Sequence, residues 1–108
     1  MIEKFVFSGE DFKVVLQADG WKIGFLRNSE RFSTFNQLER HLETDEAFVL
    51  LDGEAVLYTE NESCVMKKCT LYNIPKGMWH HITVSDKATV MVVENADTNK
   101  ENTEKKYK

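Results

Sequence analysis

Short bursts of apolar residues recur along almost the whole chain. They cover Lys4 to Ser8, Phe12 to Gln17, Trp21 to Arg27, Phe48 to Leu51, Ala55 to Glu60, Ser63 to Leu71, His80 to Ser85 and Thr89 to Glu94. Each is rich in Val, Ile, Phe, Tyr or Thr, the residues that fit a pleated, half-buried surface. The breaks between them carry turn residues: Ser8-Gly9-Glu10-Asp11, Ala18-Asp19-Gly20, Asp52-Gly53, Glu60-Asn61-Glu62 and Ser85-Asp86-Lys87. So many strands so close together predict an all-β sandwich or barrel, with tight hairpin connections at Asp19-Gly20 and Glu60-Asn61. Within the run from His80, residues two apart share a face, and His80, Ile82 and Val84 alternate with His81, Thr83 and Ser85. The apolar members mark the first set as inward, so His80 is expected to face the core and His81 solvent.

Two stretches need a choice. Ser33 to Leu51 can be drawn as an amphipathic helix starting at Thr34, with Gln37 completing a capping box and Phe35, Leu38 and Leu42 as its stripe. Against this, Ala47 to Leu51 is continuously apolar and stops at Asp52-Gly53, which suits a buried strand better. Strands are therefore expected. Asp97 to Lys108 offers almost nothing apolar to offset its own ordering entropy, so residues 97–108 are expected to form a disordered tail behind one domain at 1–96.

Composition narrows the class. A chain of 108 residues is of single-domain size and buries roughly two-thirds of its unfolded surface, enough for a core without staples. The two cysteines, Cys64 and Cys69, fall on opposite faces of one regular strand, badly placed to bond each other, and read as reduced packing residues. No stretch approaches the roughly 18 apolar residues of a membrane helix, and Met1-Ile2-Glu3-Lys4 does not open an apolar leader, so a cytoplasmic protein without a membrane partner is expected. The net charge of −4, with acids and bases interspersed, leaves no basic stripe for nucleic acid.

The candidate chemistry lies in two segments: Glu39-Arg40-His41, followed by Glu46 and Gly53, and Pro75-Lys76-Gly77-Met78-Trp79-His80-His81. Together they resemble the two motifs of the cupin superfamily, written G-x5-H-x-H-x3-4-E-x6-G and G-x5-P-x-G-x2-H-x3-N. His41 precedes Glu46 by four intervening residues and Glu46 precedes Gly53 by six, while Pro75, Gly77 and His80 fall in register. The departures are Glu39 in place of the first histidine, Ser33 and Cys69 in place of the two opening glycines, and Val84 in place of the asparagine. The resemblance implies a double-stranded β-helix, a jelly-roll-like barrel, and a metal site made of Glu39, His41, Glu46 and His80. Strand alternation selects His80 independently and puts Glu39 on the face of His41.

Two imidazoles and two carboxylates suit a divalent first-row ion, Mn, Fe, Ni or Zn, and would neutralise it. Replacing a histidine by Glu39 hardens the site toward Mn or Fe. Gly53 and Gly77 read as turn glycines with positive φ. Trp21, Phe25, Phe48 and Trp79 read as core or pocket wall, suited to an apolar or ring-containing guest, whereas Tyr58, Asn73, Arg27 and Tyr72 are polar residues whose place relative to the pocket stays open. Three classes of function follow: a metal-dependent enzyme of isomerase, lyase or dioxygenase type acting on a small molecule, a non-catalytic small-molecule binding module, or a structural dimer without metal. The resemblance also implies a homodimer, with the apolar N-terminal runs around Phe5 and Val14 as its surface.

Overall fold

The computed structural model describes all 108 residues. Ten strands run β1 Phe12–Ala18, β2 Trp21–Arg27, β3 Gln37–His41, β4 Glu46–Asp52, β5 Ala55–Thr59, β6 Ser63–Val65, β7 Leu71–Ile74, β8 His80–Val84, β9 Thr89–Asn95 and β10 Thr103–Tyr107. The only helical pieces are two 3-10 turns, Glu30–Phe32 and Lys100–Asn102. The strands form two antiparallel five-stranded sheets, in the orders β1-β2-β9-β4-β7 and β10-β3-β8-β5-β6. Antiparallel strands need one apolar face each, and here the two apolar faces meet. Leu26, Phe48, Leu50, Val90 and Val92 from the first sheet pack in one cluster with Leu57, Ile82 and Val84 from the second.

Local sequence sets the connections. Ala18 pairs with Trp21 around Asp19-Gly20, with Gly20 at φ 85, as a two-residue hairpin requires. Thr59 N–H donates to the Glu62 carbonyl at 2.9 Å, closing the Glu60-Asn61 hairpin. Gly53, at φ 75, has no room for a side chain, because a Cβ there would lie 2.6 Å from the Ala88 Cα. The stretch from Ser33 contains strands β3 and β4, not a helix.

Several expectations are corrected. Lys4 to Ser8 forms no strand; Phe7 alone is buried, stacked on Phe25 at 6.1 Å, and Ile2 and Val6 are exposed. Ser63 to Leu71 is broken into β6 and the start of β7, with Cys69 in the left-handed region at φ 60. Both cysteines are free and exposed, so neither packs in the core. Residues 97–108 do not behave as a disordered tail. Asn99 and Asn102 cap one another around the second 3-10 turn, and β10 then pairs with β3 from Thr103↔His41 to Tyr107↔Gln37. Apolar burial is not what orders this segment. Its backbone completes a ladder on an otherwise open edge, while the exposed pairs Arg40–Glu104 and Lys106–Glu60 add only about 0.2–1 kcal/mol each.

Candidate metal centre

Strands from both sheets bring the four sequence-predicted residues together. Glu39 and His41 come from β3, Glu46 opens β4 and His80 opens β8, with Glu39 directly opposite His80 in the β3–β8 pairing. The turn before β8 is locked to β3, since Gly77, at φ 83, donates its N–H to the His41 carbonyl at 2.7 Å. Asp45, just ahead of Glu46, accepts the Lys76 N–H at 2.9 Å and so ties β4 to the same turn. One ligand-type atom from each of Glu39, His41, Glu46 and His80 lies within 4.8 Å of the others. His41, Glu46 and His80 are buried, and Glu39 is partly exposed.

The hydrogen bonds around the rings decide what the cluster can hold. His80 Nδ1 lies 3.0 Å from the Met78 carbonyl oxygen, which only accepts, so the proton is on Nδ1. His41 Nδ1 lies 2.9 Å from the Thr103 hydroxyl, whose own proton goes to the Asn99 carbonyl at 2.7 Å. That hydroxyl therefore accepts from His41, and this proton too is on Nδ1. In both neutral rings Nε2 is then left as a bare lone pair. The two Nε2 atoms lie 3.1 and 3.0 Å from the same oxygen, Glu46 Oε1, and Glu39 Oε1 lies 3.9 Å from His41 Nε2. Two lone pairs and two carboxylates facing one another repel unless a cation, either protons or a metal ion, lies among them.

The ionisation of the site follows. Burial disfavours charge on Glu46, yet the hydrogen bonds and charges of His41 and His80 outweigh burial and hold it well below the usual carboxylate range. Burial likewise opposes charge on His41, but Glu46, Glu39 and Glu94 raise it above the ordinary value. Glu94 was not among the predicted site residues. It lies in register with Glu46 across β4 and β9, and burial together with the Glu46 charge pushes it up to about 7, with Lys22 4.0 Å away pulling the other way. The signal for it was present: Val90, Val92 and Glu94 alternate on the inward face of β9.

The cluster opens into a cavity of about 620 Å³. Phe12, Leu26, Phe32, Phe48, Ile82 and Val92 form its apolar wall, and Thr98, Asn99, Lys100, Thr103 and Lys105 bring the C-terminal segment into its lining. Sequence reasoning missed these C-terminal residues because it treated them as unordered. His81, expected in solvent, is buried. Its Nε2 meets the Thr34 carbonyl at 2.8 Å, and Phe32 and Phe35 stack beside it, because the loop between the first 3-10 turn and β3 folds over that face. Trp79 is not pocket wall but lies between Arg40 and Lys106, and Trp21 is exposed. The polar residues left open by the sequence bond elsewhere: Tyr72 to Lys67, Asn73 to Asp45, Arg27 to Thr89, and Tyr58 stacks on Phe35.

Comparison with known proteins fits this architecture. No protein-family model matches the sequence, and no curated protein does. Solved structures do resemble the fold. A cupin-2 domain containing protein from Shewanella frigidimarina matches with TM-score 0.66 at 17% identity, over 82% of this chain and 84% of that one. KdgF from Halomonas matches with TM-score 0.67 at 12% identity, over 94% and 99%. A Streptomyces PAC13 variant determined with uridine matches with TM-score 0.70 at 12% identity, over 100% and 92%. The chain has the cupin fold, a jelly-roll β-barrel.

Proposed function

We propose that the protein binds a divalent first-row metal ion through Glu39, His41, Glu46 and His80 and presents it to a small molecule in the adjoining cavity. One observation carries this reading: both histidines use Nδ1 as donor, so both Nε2 lone pairs converge on Glu46 Oε1 at 3.0–3.1 Å. Fixing the outer nitrogen of a ligating histidine in this way is how metal sites orient their ligands. Relative to a site with a histidine in place of Glu39, the second carboxylate shifts the donor set from Cu or Zn toward Mn or Fe. When bound, the metal would supply a Lewis acid beside the cavity. A small-molecule guest is supported by the cavity itself and by the uridine in the Streptomyces neighbour.

Turnover of the guest, by isomerase, lyase or dioxygenase chemistry, is the second reading. Glu94 favours it, as a cavity-lining carboxyl next to the cluster that is not one of the four convergent residues. The test is metal analysis of untagged protein purified without chelator, repeated on His80→Ala and His41→Ala. Wild type should carry about one equivalent of metal and both variants much less, since each loses a ligand. Equal trace metal in all three proteins would show that these histidines do not bind it.

A further inference from the structure

The cavity meets most of its own polar demands internally. Arg31 is held by Asp11 at 2.8 Å, Thr98 shares a hydrogen bond with Thr44 at 2.7 Å, and the Asn99 side chain caps the second 3-10 turn. Lys100 and Lys105 are different. Both line the cavity and are exposed, and neither side chain has a hydrogen bond or an ion pair, whereas their neighbours Glu104 and Lys106 are paired at 2.6 Å with Arg40 and Glu60. Lys105 is also placed directly opposite Glu39 in the β10–β3 ladder, so the two share a face. Glu39 Oε1 lies 3.9 Å from His41 Nε2, and Lys105 forms no ion pair with Glu39.

Charge complementarity then defines the guest. A dication among the four convergent residues would offset the charges of Glu39 and Glu46, Glu94 lies beside Lys22, and Arg31 is offset by Asp11. With that ion bound, the two lysines would be the remaining uncompensated charge of the cavity, and a cleft with charge of one sign concentrates ligands of the other. The same cavity is lined by apolar residues that include Phe12, Phe32 and Phe48.

We propose that the cavity takes a small organic anion with an apolar or ring body, its carboxylate or phosphate held by Lys100 and Lys105 and its far end directed toward the Glu39, His41, Glu46 and His80 cluster. The proposal rests on the reading of this cavity as a metal-supported small-molecule site, and its test separates the two. Full-length protein, loaded with Mn(II) or metal-free, is titrated calorimetrically with phenylacetate, with phenyl phosphate and with the uncharged phenylacetamide. At least one anion should bind the loaded protein, and the amide should bind about tenfold more weakly or worse. The Lys100→Gln/Lys105→Gln double variant should lose about tenfold or more of the anion's affinity while its metal content and melting temperature stay at wild-type values. The preferred anion identifies the group that the lysines hold. Failure of both anions to bind, equal binding of amide and anion, or equal binding by the double variant would overturn the proposal. If wild type then still carries its metal, the metal reading survives that failure. Conversely, lysine-dependent binding of an anion to a protein that takes up no metal would uphold the anion site and remove the metal reading.

Discussion

The two walls of the site are built on different principles. The β10-β3-β8 side supplies the imidazoles, each fixed by a neutral acceptor: the Met78 carbonyl for His80 and the Thr103 hydroxyl for His41. The β4-β9 side supplies Glu46 and Glu94, in register on adjacent strands, a placement that by itself destabilises a sheet. One wall is oriented by hydrogen bonds that do not depend on a cation, whereas the other needs one. The acidic pair is tolerated because its members divide the load. Burial opposes charge on both, but Glu46 has two imidazoles to outweigh it, and Glu94 does not and is pushed up to about 7. Two identical side chains in facing positions are thereby given different roles.

The largest effect should come from exchanging those roles one at a time. Glu46→Gln removes the carboxylate on which both Nε2 atoms converge, and should weaken metal binding more than about 100-fold, beyond the usual cost of losing a supporting residue. Glu94→Gln should keep metal affinity within about tenfold of wild type. Competition against a fluorescent chelator measures both. Equal losses would make Glu94 a ligand and erase the difference between the two acids.

On the imidazole wall, Thr103 is a positioning residue. Thr103→Val keeps the shape of the side chain and removes the acceptor of the His41 Nδ1 proton, so metal affinity should fall by about 10- to 100-fold. Thr103→Ser should restore it. A purely structural role would leave the ring tautomer alone, so the ¹⁵N shifts of His41 in the metal-free variant decide the matter: the proton should no longer be confined to Nδ1. Unchanged shifts and unchanged affinity would leave His41 oriented by its strand alone.

The legibility of the sequence divides along the same line. The strands, the Asp19-Gly20 hairpin and the turn glycines at Gly53 and Gly77 are local properties, written in alternation and turn chemistry. His41, Glu46 and His80 could be picked out because their spacing resembles the cupin motifs, and His80 also because Ile82 and Val84 share its face. Glu94 was equally legible from its alternation with Val90 and Val92, but no motif spacing drew attention to it. Thr103, Lys100 and Lys105 were not legible, because what orders their segment is the free edge of β3, a feature that exists only after the sheet has formed. His81 followed strand alternation but was buried by a loop, again a tertiary fact that no local pattern records.

The smallest effect is on the pH dependence of the metal-free protein, and its sign distinguishes the two acids again. Glu94 is raised from 4.5 to about 7 by burial and by Glu46, so its contribution to stability is fully present below about 4.5 and is lost as pH rises through about 7. Glu46 is lowered, so its contribution is present above the ordinary carboxylate range and is lost as pH falls into acid. Glu94→Gln stays neutral throughout. Relative to metal-free wild type it should melt at the same temperature near pH 4.5 and higher at pH 8, by on the order of 1–3 kcal/mol, at about 4–8 °C for each kcal/mol. Binding of metal should shrink that difference, because offsetting the charge on Glu46 removes part of what holds Glu94 protonated. Differential scanning calorimetry of the two proteins at both pH values, with and without Mn(II), gives the four differences needed. A gap between variant and wild type that is the same at pH 4.5 and pH 8 would mean that Glu94 keeps one charge state across this range, and the division of labour between the two acids would have to rest on metal ligation alone.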